Sequence, residues 1–452
     1  MLRKTTVALT FLATLAAGTG LTAMAAPADA GAPERGRGTN VLVVGIDSRA
    51  GLSAAEKRRL NVGGKGCNCT DVMLLVHLSQ DERRASVVSI PRDSYVAYAQ
   101  DSEPARLGKI NGAYALGGRP LTVKTVEKAT GLRIDHYLET GFTGFEATVD
   151  NLGGAVVCTT EPLKDDNSGL DIPAGVHRVD GRGALRYVRA RHITKRPGDL
   201  GRMRRQQRTV SDLLTKLTGE GALADPLSTA RTVRTLLKTV RTDDRTDLED
   251  LVRIGWAVGR LSARQTEFAT VPLKEFDHRV PGVGSTLLWH DARAQALWAA
   301  LAADRPITGD PRIQPVGEAA TPANPPWIAV RVDHAKTAAA LRKSNFAVTD
   351  TSKNAPAVRP AGPPVVRYAP GRDDEAATLA AALPGARLEA VPGHDAGFDV
   401  AVGTGPATVR TVTYDRNVAD GAPATGDRLG CAGTMGRPGT PTGPAPAKPH
   451  TG

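Results

Sequence analysis

Short apolar runs and helical spacings alternate along the first two thirds of the chain. Asn40 to Ile46, NVLVVGI, is an apolar run bounded by polar residues, which predicts a buried strand. DVMLLVHL, from Asp71, and RASVVSI, Arg84 to Ile90, predict two more. Pro91 stops the third because it has no amide to give to a ladder. Leu121 to Thr130 predicts a helix ending at Gly131, and Phe142 to Leu152 another ending at Gly153-Gly154. Ala155 to Thr159 returns to strand. Asp165 to Gly175 reads as loop; its Asp-Asp-Asn-Ser-Gly turn lacks the spacing and closing Glu of a calcium loop. Pro226 to Thr242, Leu248 to Leu261 and His290 to Ala302 have helical spacing, and Phe268 to Leu273 rejoins the sheet. Strands alternating with helices predict an α/β fold. Beyond a Pro-rich linker, Trp327 to Asp350 and Pro364 to Val402 predict a small second α/β domain of strand, helix, strand, strand, helix, strand.

The densest polar feature interrupts this pattern. From Asp180 to Gln207, DGRGALRYVRARHITKRPGDLGRMRRQQ, arginines crowd with few acids, an arrangement that repels itself unless an anion answers it. Pro197-Gly198 breaks the chain, Asp199 can cap, and good helix formers follow. At about 100° per residue, Met203, Val210, Leu213, Leu214 and Leu217 share a stripe that should meet the core. Asp199, Arg202 and Gln206 fall on that stripe. Two readings stand. Asp199 caps the helix and pairs with Arg202 as a structural knot. Alternatively, guanidiniums line an anion pocket at the helix N-terminus, with Arg189 and Arg191 adding forks from upstream. Arg204, Arg205 and Arg208 fall on the opposite side and, with Arg196, read as a solvated basic face. Further charges stand at strand ends: Asp47 after the first strand, Asp71 opening the second, and Arg92 beyond the third with Asp93 as a possible partner. Ligands of open α/β sheets bind beyond the carboxyl ends of strands.

Composition narrows the partners. The chain has 452 residues, enough for two or three domains, and its 4% aromatic content leaves the core to Leu, Val and Ala. A formal charge of +11 suits anionic partners. The opening MLRKTTVALTFLATLAAGTGLTAMAAPADA has a basic start, an apolar run and an Ala23-Met24-Ala25 cleavage pattern. Residues 1–30 therefore read as an export signal peptide, or uncleaved as an anchor. Either places the rest outside the cytoplasm and excludes nucleic acid as the partner. Residues 31–38 read as a linker, 39–304 as the main domain, 305–326 as the Pro-rich linker, 327–416 as the second domain and 417–452 as a disordered tail. In an oxidising compartment Cys67, Cys69, Cys158 and Cys431 are expected to pair. Cys67-Asn68-Cys69 is tight for an internal bridge, so the expectation joins one of them to Cys158. The spacing is poor for zinc.

NVLVVGIDSR, CTDVMLLVHL, VSIPRDSYV, KINGAY, GLRIDHYLETGFTGFEATVDNLGG, DGRGALRYVRARH and GDLGRMRRQQ stand in this order and together resemble the LytR–CpsA–Psr family of bacterial cell-wall enzymes. The chain after Trp327 resembles the family's small C-terminal LytR-type domain. The resemblance implies a three-layer α/β/α fold with a central mixed sheet and a buried lipid tunnel. It implies a phosphotransferase that moves a glycopolymer from a polyprenyl-pyrophosphate carrier to peptidoglycan at the outer face of the cytoplasmic membrane, with Mg2+ as the usual ion. Asp47 and Asp71 match the family's metal-associated acids. Arg92, Arg189, Arg191, Arg202 and Gln206 match its pyrophosphate-binding positions, and Lys109, Asn111 and Asp199 match polar positions near them. Asp47, Arg92 and Arg189 are the expected catalytic groups. Water as acceptor would make the same site a lipid pyrophosphate hydrolase, and a site without turnover would make a polyprenyl-phosphate or peptidoglycan-binding protein.

Overall fold

Apolar residues in the first strands have two destinations, because helices cover both faces of the sheet they form. The computed structural model describes residues 38–431, apart from 48, 50–51, 63–65, 101–105, 160–161, 192, 194–198, 220–232, 315–319, 350–359, 396 and 404. The expected leader, the linker through residue 37, and Arg196 lie outside the described residues. Strands β1 (Thr39–Ile46), β2 (Thr70–Leu78), β3 (Ala85–Ser89), β4 (His136–Thr140), β5 (Arg241–Thr242), β6 (Thr266–Thr270) and β7 (Ala424–Thr425) form one sheet, ordered β5-β4-β1-β2-β3-β6-β7. It is mixed: β1 runs antiparallel to β2 and parallel to β4, while β3 runs parallel to β6. The main helices are α1 (Gly112–Thr130), α2 (Phe142–Asn151), α3 (Gly181–Arg189), α4 (Asp199–Gly219), α5 (Leu248–Gly259) and α6 (Asp291–Ala302).

Leu42, Val44, Met73, Leu75 and Val88 join a core with Val126 of α1 and Leu297, Trp298 and Leu301 of α6. Their alternate neighbours Val43, Leu74, Val76 and Val87 pack with Val210 and Leu214 of α4. The period-2 alternation of strands thus feeds two apolar layers, and the α/β/α sandwich follows. The helix expected from Leu121 starts earlier, at Gly112. It is broken at Gly117 and at Gly118, whose φ of +59° suits glycine, just before Pro120.

Of the polar stripe of α4, Arg202 and Gln206 are buried as their spacing implied, and Gln207 beside them, which the stripe did not include, is buried too. Gln207 donates through Nε2 to Ser89 Oγ at 2.9 Å and to the Ala269 carbonyl at 2.9 Å, pinning the helix to the ends of β3 and β6. Gln207→Leu is expected to cost about 1–3 kcal/mol, since it strands buried acceptors; thermal unfolding would show it, and an unchanged melting point would refute the pin. Arg205 corrects the solvated-face expectation. It is 7% exposed and donates to the carbonyls of Tyr187 and Ala190, caught between α4 and the last turn of α3. Free carbonyls at a helix C-terminus attract cations.

The second domain is a five-stranded sheet with Phe398–Ala401 between Ala329–Val332 and Val365–Tyr368, flanked by helices Ala335–Lys343 and Asp373–Ala382. Two expectations fail beyond it. Residues 417–431 are ordered rather than part of a disordered tail. Asn417 donates its Nδ2 to the Leu273 carbonyl at 2.8 Å and accepts the Leu273 amide at 2.7 Å, and β7 pairs with β6. Leu429, 1% exposed, closes over Leu74, Val87 and Phe268. A composition rich in Gly, Ala and Asp hid the packing residues Ala419, Ala424 and Leu429 and a ladder partner. The disulfides also differ: Cys67 pairs with Cys69 and Cys158 with Cys431, so neither Cys67 nor Cys69 reaches Cys158. Asn68, at φ +48°, turns the chain so that the Cys67 and Cys69 Cα atoms lie 5.1 Å apart, within bridging range. Among the described residues no helix is long and apolar enough to cross a membrane.

Candidate active site

A cavity of about 370 Å³ opens between the sheet and helices α2, α3 and α4. Its inner wall is apolar: Val43 and Leu74 from the strands, Phe142 and Phe145 from α2, Leu185 and Val188 from α3, and Val210 from α4. Its charged lining comes from the sheet rim and helix ends: Asp47 leaves the end of β1, Arg92 follows β3, Arg189 ends α3 with Arg191 just beyond it, and Arg202 and Gln206 come from the first turns of α4. Residues spread over some 160 positions of sequence therefore meet at one rim of the sheet, the edge where α/β folds hold ligands.

Each mouth group is held in place. Asp47 accepts both Nε and Nη2 of Arg49 at 2.8 Å, a bidentate fork. That hydrogen bond, with the Asp47 and Asp71 charges, holds the Arg49 guanidinium above its usual pKa. Arg92 pairs with Asp71 through Nη1 and lies 3.4 Å from Asp93. Arg189 donates to the Leu60 carbonyl at 2.7 Å and lies over the Phe142 ring at 5.0 Å. Burial pushes its pKa down, opposed by the charges of Asp71 and Asp47. Gln206 donates to the Val188 carbonyl at 3.2 Å. Helix α2 begins at Gly141, which offers no side-chain cap, and Thr140, Gly141 and Phe142 lie on the cavity wall. Amides of an uncapped first turn favour an anion there.

The charged residues of the wall are five arginines against three aspartates, so the mouth is net positive over an apolar interior. Such a lining is complementary to an apolar chain with a compact anionic head. Of the expected site residues, Asp47, Asp71, Arg92, Arg189, Arg191, Arg202 and Gln206 come together. Lys109 is not on the wall itself: its Nζ pairs at 2.9 Å with Asp93 Oδ1, and Asp93 in turn lies 3.4 Å from Arg92. Asn111 stands behind the site, donating its backbone amide to the Arg92 carbonyl at 3.1 Å. The side chain of Asp199, like all of His192, lies outside the described residues.

Three groups were not anticipated. Arg49 followed Asp47 in the sequence, and an i+2 pair after a strand was the available signal. Asp165 and Ser168 belong to the turn that looked merely structural. Asp165, 2% exposed, accepts the Arg191 amide at 2.5 Å and thereby sets the chain carrying both upstream arginines. Among the described residues no three or more His, Cys, Asp or Glu gather as a metal cage. Asp47 and Asp71 nevertheless present hard oxygens on one wall, a donor set that fits magnesium bound jointly with phosphate oxygens and water.

The LytR_cpsA_psr family profile matches residues 16–302, and the LytR cell envelope-related transcriptional attenuator profile matches residues 334–433. The chain is 38% identical over 266 residues to the probable cell wall biosynthesis protein LcpB of Corynebacterium glutamicum, covering 58% of this chain and 61% of LcpB. It is 29% identical over 270 residues to cell wall biosynthesis protein LcpA of the same organism, covering 53% and 51%. The chain thus matches less than two thirds of either relative's length. Among solved structures, B. subtilis TagT is 25% identical with a TM-score of 0.46, covering 61% of this chain and 94% of TagT. A LytR-Csp2A-Psr enzyme from Actinomyces oris is 24% identical with a TM-score of 0.46, covering 60% and 91%.

Proposed function

Since this chain belongs to the LytR–CpsA–Psr family, we propose that it is an extracytoplasmic phosphotransferase of cell-wall assembly. It moves a glycopolymer from a polyprenyl-pyrophosphate carrier to peptidoglycan. The observation that carries this reading is a net-positive, arginine-lined mouth over an apolar cavity. The names of LcpB and LcpA, both cell wall biosynthesis proteins, support the setting.

In this reading the isoprenoid lies against Phe142, Phe145, Leu185 and Val210, and Arg92, Arg189 and Arg202 grip the diphosphate. A sugar hydroxyl of peptidoglycan attacks the phosphorus that bears the glycan. The bond from that phosphorus to the bridging oxygen breaks, the lipid leaves as its monophosphate, and a phosphodiester joins the two glycans. Charge grows on the departing phosphate, and fixed guanidiniums stabilise it without reorganising. The hydroxyl proton passes to Asp71, whose side chain is 27% exposed and meets Arg92 through one oxygen, while both oxygens of Asp47 are held by Arg49. Asp47 would hold magnesium together with diphosphate oxygens and water, with Asp71 joining it when not taking the proton, and the ion would add Lewis-acid charge at the diphosphate.

The test is product analysis with the full chain, a lipid-linked donor, magnesium and peptidoglycan. A peptidoglycan conjugate and lipid monophosphate are expected. Free glycosyl phosphate without conjugate would replace the transferase with a hydrolase. Donor binding without turnover would leave a binding protein.

A further inference from the structure

We propose that the Cys67–Cys69 disulfide is a positioning element of this site: it fixes the bulge that turns Asp71 into the cavity and the backbone contact that holds Asp47 beside it. The inference rests on the phosphotransferase reading for the identity of the ligand.

The ladder between β1 and β2 pairs residues one to one until Gly45 faces Val72, and the next pair is Ile46 with Thr70. Asp71 is therefore surplus, the extra residue of a β-bulge. A bulge re-aims side chains. In unbroken alternation Asp71 and Val72 would face opposite sides of the sheet; here Val72 packs with Leu74 in the layer under α4, while the Asp71 carboxylate meets Arg92 and bears on Arg49 and Arg189 of the cavity wall. The bulge is what gives β2 a carboxylate and an apolar wall on one face.

The chain entering that bulge is anchored to Asp47. The Cys69 carbonyl accepts the Asp47 amide at 2.9 Å. Gly66 lies so close that a Cβ there would come within 3.1 Å of the Asp47 carbonyl oxygen and 3.0 Å of Arg49 Cγ. The disulfide closes this stretch over Asn68, which holds a left-handed φ of +48° that asparagine tolerates far better than β-branched residues. Cys69 is buried, with Asn111 Nδ2 3.9 Å from its sulfur, whereas Cys67 is exposed and open to thiol reductants. A bridge spanning a sequence separation of 2 constrains the unfolded chain little, so its effect is local. It decides where two acids sit, not whether the domain folds. The Cys158–Cys431 bridge, with a separation of 273, is the opposite case.

The experiment measures binding of farnesyl diphosphate, with and without magnesium, by calorimetry on the full chain. Melting points are recorded alongside. Wild type, Cys67→Ser/Cys69→Ser and, as control, Cys158→Ser/Cys431→Ser are compared. The first pair is expected to weaken binding about tenfold, as a small misplacement of site groups does, with a melting point within about 2 °C of wild type. In the Cys158→Ser/Cys431→Ser control, where Cys67–Cys69 is the remaining bridge, a phosphine reductant should weaken binding by the same factor as the Cys67→Ser/Cys69→Ser change, and reoxidation should reverse it. Asn68→Gly, which keeps the left-handed turn, should bind like wild type, and Asn68→Val should not. Unchanged binding in the first pair overturns the proposal, and so does a loss that merely follows a large fall in melting point. Wild type that fails to bind farnesyl diphosphate at all overturns both this inference and the function it rests on.

Discussion

Arg202→Ala should lower transfer from a lipid diphosphate donor by about 100- to 1000-fold, the effect of removing one preorganised charge-stabilising donor, about 3–4 kcal/mol. Arg202 is 4% exposed on α4 and lines a mouth that already carries excess positive charge. Because Arg202 is buried, removing it also leaves a void and strands the groups around it, so melting points are recorded beside activity and Arg202→Lys separates the two effects. Arg202→Lys should recover part of the activity, because an ammonium keeps the charge but loses the planar fork. Arg92→Ala should act similarly, with the added consequence that Asp71 loses its partner. Steady-state kinetics and farnesyl diphosphate titrations give the comparison. Wild-type kcat/KM in both alanine variants would remove the site.

Ending the chain after Arg416 should have the largest effect on stability. The missing segment supplies β7, the Asn417 bonds to Leu273, Leu429 and Cys431. Losing a disulfide that closes a loop with a sequence separation of 273 costs about 5 kcal/mol in the chain-entropy account. Uncovering Leu429's site adds roughly 2 kcal/mol. Together these should lower the melting temperature by on the order of 10 °C. The same segment braces α4: Ser211 Oγ donates to the Gly426 carbonyl at 3.3 Å, and Leu429 packs beside Val210 and Leu214. Donor binding through Arg202 and Gln206 should therefore weaken too. A truncated protein that melts and binds like the full chain would show that residues 417–431 brace nothing.

Much of this was legible before any coordinates, and for identifiable reasons. The apolar runs NVLVVGI and DVMLLVHL showed buried strands, since a run apolar at every position has no face to give to water; that their alternate side chains feed two separate layers came from the structure. The odd stripe on α4, with Arg202 and Gln206 in line with Val210 and Leu214, revealed that a helix aims polar groups inward. Arg205 was missed by the same logic. Helical phase says which side a residue faces, not that the far side meets the last carbonyls of α3. Lys109 is off the cavity wall but reaches the site through Asp93, which it shares with Arg92, a contact that helix and strand period do not encode.

Sequence by itself determined the strands of NVLVVGI, DVMLLVHL and RASVVSI, the inward polar stripe of α4 and the kind of charge gathered at the strand ends, because these depend on period and residue type within a short window; it did not show the strand His136–Thr140, the short strands Leu163–Asp165 and Leu170–Ile172 in a stretch that reads as loop, or the strand Arg241–Thr242 in a stretch with helical spacing. Only the tertiary structure decided that Asp71 turns into the cavity through a bulge, that Asp165 holds Arg191, that Cys67 pairs with Cys69, and that residues 417–431 return to complete the sheet. Those outcomes depend on register and on contacts between residues up to hundreds of positions apart, and no local pattern encodes which of several compatible partners will be nearest once the chain has folded.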